Sequence, residues 1–306
     1  MTGFVLPILK EEDWTSHDAV QRLRSILGVR EIGHAGRLDP FATGVLVCAV
    51  GRATKLVSYL MDLPKEYVGT IRLGIDTDTG DITGEVRERR PTEDVGEDAI
   101  RGAAARFVGE IDQIPPMISA IKHQGRRLYD LARAGIEVER KPRRVTVHAF
   151  DLPAIRDDRV EFRVLCSKGT YVRALARDLG EALGTGGCVE RLRRTAVGPF
   201  TEERAVSLTG EPEAVRRACL RAAVQPVDAI AHLGAMRLRS EWVRRIRRGE
   251  QPPWRAVDAE ALPAHAPIRL LGPEGDLVAI AVLDAVPGPI DRSWRDSWEL
   301  KLERVF

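Results

Sequence analysis

Paired cysteines are missing from this chain. It has four, Cys48, Cys166, Cys188 and Cys219, and no two stand at the short spacing that a zinc site or a disulfide framework needs. Scattered single cysteines fit a reducing compartment. Long apolar runs are missing too. No stretch of roughly 18 apolar residues occurs, so a membrane-spanning helix is not expected. Met1 to Leu9 holds a brief apolar run with neither a basic start nor a small-residue cleavage site, so a secretory leader is not expected either. Internal repeats and low-complexity segments are absent. These absences describe a cytoplasmic protein of 306 residues, long enough for one large domain or for a large domain and a small one.

Charge of one sign is also lacking overall, at a net +2, but its distribution is uneven. Basic residues cluster at Arg140–Arg144, Arg191–Arg194 and Arg237–Arg248. Arginine makes bidentate contacts to phosphate and stacks on bases, so three such clusters can track an RNA backbone. Any one of them alone would be an ordinary solvated face.

Thr15 to Gly28 reads as a helix capped by Thr15 and Asp18, with Val20, Leu23, Ile26 and Leu27 on one face. Further helices are expected over Arg52–Leu63, Glu97–Val108, Arg127–Ala134 and Thr170–Leu183. Strand patterns occur at Tyr67–Leu73, Val145–Leu152 and Val160–Cys166, without a regular βαβ rhythm. That mixture predicts an α+β domain with a mixed, largely antiparallel sheet. Gln225 to Met236 reads as a linker, and a compact unit of short strands follows, with a basic helix that Ser240 would cap and Gly249 would end. The expected division is 1–230 for the larger domain and 237–306 for a small β-barrel.

The most informative segment is Gly33-His34-Ala35-Gly36-Arg37-Leu38-Asp39-Pro40-Phe41-Ala42-Thr43-Gly44-Val45-Leu46. It is a glycine-punctuated loop carrying one acid, followed by an apolar strand-like run. Gly36 and Gly44 let the backbone pass close to a ligand. Taken alone, Asp-Pro is usually a turn. The whole string, however, closely resembles the signature of the TruB family of tRNA pseudouridine synthases, Gly-His-x-Gly-x-Leu-Asp-Pro-x-Ala-x-Gly-x-Leu. The resemblance continues through Ala53-Thr54-Lys55, Lys65-Glu66-Tyr67, Leu73-Gly74-x-x-Thr77-Asp78-Thr79 and Gln113-Ile114-Pro115-Pro116-Met117. It resumes at Ser119-Ala120-x-Lys122, Gly125-Arg126-Arg127-Leu128-Tyr129, Ser167-Lys168-Gly169-Thr170-Tyr171-Val172-Arg173 and Leu192-Arg193-Arg194. Ordered matches over about two hundred residues are far more specific than any single motif.

This resemblance implies the pseudouridine synthase fold, a PUA-like RNA-binding barrel at the C-terminal end, and isomerisation of a uridine in the tRNA T-loop, position 55 in standard tRNA numbering. It places Asp39 as the nucleophile, attacking either the base or the ribose C1′. A carboxylate is suited to this because it can both attack and leave. Arg173 matches the arginine that pairs with the aspartate, Tyr67 the tyrosine that stacks on the target base, and Tyr171 a second tyrosine near it. His34 matches the histidine that fills the gap left by the flipped nucleotide. Gly36, Arg37, Lys122, Arg126, Arg143 and Lys168 fall at RNA-binding positions, and residues 114–144 match a thumb-like insertion that closes on the T-arm. The partner implied is tRNA. No cofactor, metal or obligate protein partner is expected.

Two features stand apart. Asp76-Thr77-Asp78-Thr79-Gly80-Asp81 invites a calcium-loop reading, but its glycine falls one place early and Arg87 sits where the bidentate glutamate belongs. The family usually begins with Asp-Lys-Pro-x-Gly-x-Thr-Ser, whereas this chain has Leu9-Lys10-Glu11-Glu12-Asp13-Trp14-Thr15-Ser16 and keeps only the lysine and the Thr-Ser. Ile118 replaces the usual tyrosine before Ser119. These departures bear on the packing beneath the site, and hence on the rate. Two rival readings are a tRNA-folding chaperone in which catalysis is dispensable, and the RNA-guided form of the family. The guided form would need partner surfaces and often a lysine-rich tail, and Val305-Phe306 at the end of this chain does not resemble one.

Overall fold

The computed structural model describes residues 3–119, 121–252, 257–258, 266–285 and 298–306. Local chemistry sets the first helix. The Thr15 side chain accepts from the Asp18 amide, the Asp18 carboxylate accepts from the Thr15 amide, and Gly28 ends the helix at φ 68° with its N–H on the Arg24 carbonyl. Two orphan donors and one orphan carbonyl are thereby satisfied at the two ends.

The chain runs β1 (Phe4–Lys10), α1 (Ser16–Leu27), β2 (Ile32–His34), β3 (Thr43–Val50), a 3-10 turn over Gly51–Leu56, α2 (Val57–Met61), β4 (Lys65–Leu73), β5 (Ile75–Thr77), β6 (Val86–Arg89), α3 (Glu97–Ala105) and β7 (Gly109–Gln113). It continues with β8 (Lys122–His123), β9 (Arg126–Arg127), α4 (Leu128–Arg133), β10 (Arg143–Arg156), β11 (Arg159–Cys166), α5 (Val172–Ala182), β12 (Gly187–Val197), β13 (Phe200–Thr201), β14 (Val206–Ser207), α6 (Pro212–Arg221) and α7 (Pro226–Ala229). The last elements are β15 (Gly234–Leu238), α8 (Ser240–Arg247), β16 (Val257–Asp258), β17 (Pro267–Leu271), β18 (Leu277–Ala285) and β19 (Trp298–Val305).

Ten strands form one sheet along the path β14-β1-β3-β12-β4-β11-β10-β7, with β2 beside β3 and β13 beside β12. Only β1–β14 and β3–β12 are parallel, so the sheet is mixed and largely antiparallel. α3 and α5 cover one face, where Ile71, Phe162, Val164, Leu175 and Leu179 form a dry core. The β3–β12 contact matters most for the site. It sets Gly44 beside Arg194, and a Cβ at Gly44 would lie 2.2 Å from the Arg194 carbonyl oxygen, so only glycine permits this approach.

The C-terminal residues form a second, five-stranded sheet in the order β16-β15-β17-β18-β19. It packs against the first through Leu277, Ile280 and Phe306, which share a core with Leu56, Tyr59 and Leu60. The Tyr59 hydroxyl donates to Glu303 at 2.5 Å, and the Lys55 ammonium donates to the Val305 carbonyl at 2.7 Å.

Two local expectations fail. The stretch from Gln225 to Met236 is no slack linker: Ala229 and Ile230 are buried, and Arg269 of β17 donates to the carbonyls of Val227, Ala231 and Leu233. Ser240 is the first residue of α8 and not its cap. Arg239 holds the cap position, and its side chain makes no capping hydrogen bond. Gly249 does close α8, at φ 92° with its N–H on Ile246. No helix among the described residues is long and apolar enough to cross a membrane.

Candidate active site

Asp39 lies in the irregular segment between β2 and β3, where the backbone has few partners of its own. Buried carbonyls and amides there must be met by side chains. Three side chains from distant elements do this. Lys10, 1% exposed, donates to the carbonyls of Glu11 at 2.7 Å, Trp14 at 2.6 Å and Pro40 at 3.0 Å. The Ser16 hydroxyl accepts from the Leu38 amide at 2.9 Å and donates to the Leu38 carbonyl at 3.2 Å. Arg194 donates to the carbonyls of Gly36, Arg37 and Val45. Lys10 and Ser16 are residues that the divergent N-terminal motif retains, and they hold the positions on either side of Asp39.

Arg173, on α5 and 3% exposed, faces Asp39, whose side chain is 35% exposed. Its Nη2 donates to Asp39 Oδ1 at 3.2 Å, while Nε lies 2.9 Å from Oδ2, outside hydrogen-bond geometry, as an ion-pair contact. Nη1 donates to the Thr79 carbonyl at 2.7 Å and Nη2 to the Ile118 carbonyl at 2.9 Å. A second acid completes the group: Asp81, 5% exposed, approaches Nη1 at 3.5 Å and accepts from the Thr83 amide and hydroxyl. One buried cation is thus shared by two carboxylates, one of which reaches the open side. The turn over 76–81, with its misleading calcium-like spacing, serves to hold this arginine. Asp81 entered the sequence reading only as part of the rejected calcium loop and not as a site residue; the signal was an acid two places after the matching Leu73–Thr79 segment. Asp81→Asn should slow turnover by about 10–100-fold and cost about 1–3 kcal/mol of stability, because Nη1 loses its charged partner. Single-turnover assays and urea melts check this, and parental values in both would contradict it.

Tyr67 and Tyr171 flank the pair. Tyr67 is on β4, 9% exposed, with its ring centroid 6.0 Å from the Arg194 guanidinium carbon. Burial raises its phenol pKa, Arg194 opposes that rise, and the Asp39 charge adds a smaller upward push. Tyr171 holds the cap position just before α5, and the Gln113 side chain grips its backbone, accepting from the amide at 2.8 Å and donating to the carbonyl at 3.1 Å. Burial raises its phenol pKa as well. Both rings remain neutral phenols at physiological pH.

The remaining sequence candidates are placed more loosely. His34, on β2 and half-buried, has its pKa lowered by burial and then by Arg37 and Arg194, so its imidazole is neutral. Gly36 takes φ 109°, a conformation that favours glycine. Arg37, Arg126 and Arg143 are exposed. Lys168 pairs at the surface with Asp62 at 2.5 Å, a contact worth little to stability. Lys122 lies on β8, but its side chain is outside the described residues. The segment preceding it is fastened down: Arg177 donates to the Ile114 carbonyl and Arg140 to that of Pro115.

Lys10 and Lys65 are both pulled down to about 8 by burial, Lys65 being further lowered by Arg194. Each folded-state pKa lies below the unfolded value, so the folded chain releases these protons first and global stability gains as pH rises from about 8 towards 10. Local order at Lys10 moves the other way. A neutral amine has two hydrogens for three carbonyls, and the Pro40 contact weakens. Turnover should therefore decline above about pH 8 while the melting temperature does not fall with it; a rate that stays flat to pH 9.5 would contradict this.

Two solved structures share this architecture. An archaeal box H/ACA sRNP Nop10-Cbf5 complex matches with a TM-score of 0.73 and 25% identity, over 99% of this chain and 86% of that one. A Cbf5-Nop10-Gar1 complex matches with a TM-score of 0.75 and 25% identity, over 99% and 84%. The fold is thus that of the pseudouridine synthases, with an acid held by a buried arginine in the loop that leads into β3, an interior strand of the sheet. The family model described as TruB family pseudouridylate synthase, N terminal domain, matches residues 24–172, and that of the tRNA pseudouridylate synthase B C-terminal domain matches 173–231. Proteins named tRNA pseudouridine synthase B are 43% identical in Arthrobacter sp. (strain FB24), over 92% of both chains, and 42% identical in Geobacter sulfurreducens, over the whole of both. The chain belongs to the TruB family of pseudouridylate synthases, which are isomerases.

Proposed function

We propose that this protein isomerises uridine to pseudouridine in the T-loop of tRNA, at position 55 in standard numbering, with Asp39 as nucleophile. The observation that carries the reading is the buried Arg173, which binds Asp39 from within and leaves that carboxylate partly open. A uridine inside a folded loop has to be extruded before a carboxylate can reach it. Asp39 then bonds to the base or to ribose C1′, and the N1–C1′ bond breaks. The uracil turns, C5 bonds to C1′ and the bond to Asp39 breaks, returning the carboxylate; the C5 proton is lost and N1 gains one. Atoms and electrons balance without redox change, so the residues described suffice. Tyr67 supports the base by stacking, and its neutral phenol, like that of Tyr171, is able to donate or relay a proton. The neutral His34 ring suits the space that the extruded nucleotide leaves.

Residues 114–144 serve as the closing insertion, with Arg126, Arg143 and Lys122 towards phosphates, and Lys168 joins them once it leaves Asp62. The unit over 237–306 acts as a PUA-like module on tRNA outside the T-loop. On α8, Arg245 stacks on Trp242 at 3.8 Å and pairs with Glu250, and Arg247 pairs with Asp276. Arg244 and Arg248 are exposed, with no acid within ion-pair distance among the described residues. Replacing both by Ala should weaken binding of whole tRNA and reduce its salt slope by about 1–2, yet leave an isolated T-arm hairpin unaffected. Equal loss on both RNAs would place these arginines elsewhere.

The reaction itself is tested by tritium release from tRNA labelled at uracil C5, using purified protein without added cofactor. Release confined to the T-loop uridine supports the reading. No release from correctly folded, unmodified tRNA overturns it.

A further inference from the structure

Arg194 is 1% exposed and the bulkiest fully buried side chain among the described residues, yet no carboxylate among them lies within ion-pair distance. A buried cation is costly unless it is paired or fully hydrogen-bonded. Here three backbone carbonyls meet the need: Nε donates to Val45 O at 2.7 Å, Nη1 to Arg37 O at 3.3 Å and Nη2 to Gly36 O at 3.1 Å. The position explains the reach. Arg194 stands opposite Gly44 of β3 on one side and Tyr67 of β4 on the other, where β12 joins these two strands. Its guanidinium therefore touches the loop that carries Asp39 and also lies 6.0 Å from the centre of the Tyr67 ring.

We propose that Arg194 is a positioning residue for the reaction, a single anchor that sets the Asp39 loop and the Tyr67 ring relative to one another. The proposal rests on the reading of Asp39 as nucleophile. Three carbonyls in different directions need a planar, multi-donor fork, and the flat cation also offers its face to an aromatic ring. Lysine keeps the charge but has neither the fork nor the plane. Arg194 has no surface for RNA, so its influence on binding is small and its influence on the bond-changing steps is large.

The test uses Arg194→Lys and the near-isosteric Arg194→Gln in the full chain, assayed well below their melting temperatures. Tritium release in single turnover and the Kd for the same catalytically unprocessed tRNA are measured together. Both variants should react at least ~30-fold more slowly than the parent, with Kd changed by less than about threefold. A purely structural residue would not give that split once the chain is folded. A folded variant within threefold of the parental rate overturns the proposal, and so does a Kd that weakens in proportion to the rate. Failure of both variants to fold also overturns it, because the residue would then hold the domain and not the site. Parent and Asp39→Asn run alongside keep the two readings apart. Release by the parent and none by Asp39→Asn sustains the nucleophile whatever Arg194 does, whereas no release by the parent removes the function and this proposal together.

Discussion

Asp39→Asn should abolish turnover, by ~10⁴-fold or more, while tRNA affinity stays within about tenfold of the parent. The two effects separate because different groups carry them. Bond exchange needs a nucleophilic carboxylate, and an amide is neither a comparable nucleophile nor a comparable leaving group. On the proposed reading, extrusion of the base and contact with phosphates fall to the loop, the aromatic rings and the exposed arginines, none of which the substitution alters. The fold should survive, since Arg173 keeps Asp81 and the carbonyls of Thr79 and Ile118. Single-turnover tritium release and filter binding on the same tRNA measure both quantities. A loss of binding that matches the loss of turnover would sink this division of roles.

Arg173→Lys should be nearly as harmful to the reaction, at ~10³-fold, and unlike the Asp39 change it should also weaken the fold, by about 1–3 kcal/mol. One guanidinium here meets Asp39, Asp81, Thr79 and Ile118 at once. A single ammonium, without the planar fork, satisfies some of these acceptors and leaves the others buried without a donor. The Asp39 carboxylate then loses its direction as well as its partner. Activity within about threefold of the parent, with an unchanged urea midpoint, would take Arg173 out of the site.

What could be read in advance was local or carried by an ordered string. The capping box at Thr15 and Asp18 and the helix stop at Gly28 are short-range chemistry, and both formed as expected. The strand patterns from Tyr67 to Leu73 and from Val160 to Cys166 fixed two central strands, since alternation of burial is written into neighbouring residues. Asp39 and Arg173 were paired only through resemblance; no spacing rule joins residues on a loop and a helix so far apart. Asp81 was read only as part of a failed calcium loop for the same reason, its partner lying on α5 and not in its own turn. The stretch from Gln225 to Met236 misled because its small residues look slack, while the arginine that ties it down comes from β17. Ser240 misled because a cap is a matter of one residue, and the helix began one place early.

The segment that carries Asp39 is held by residues from opposite ends of the larger sheet's sequence. Lys10 and Ser16 precede it closely, but the Arg173 contact spans 134 positions and the Arg194–Val45 contact spans 149. Closing loops of that size costs chain entropy, although each doubling in length adds only about 0.6 kcal/mol. A polypeptide cut anywhere between residues 40 and 193 keeps Asp39 and its N-terminal tethers while lacking the Arg194 guanidinium beneath them. Once Asp39 has been made, the emerging chain is in that condition until β12 has left the ribosome, so the Asp39 carboxylate waits through much of translation without the setting that holds its loop.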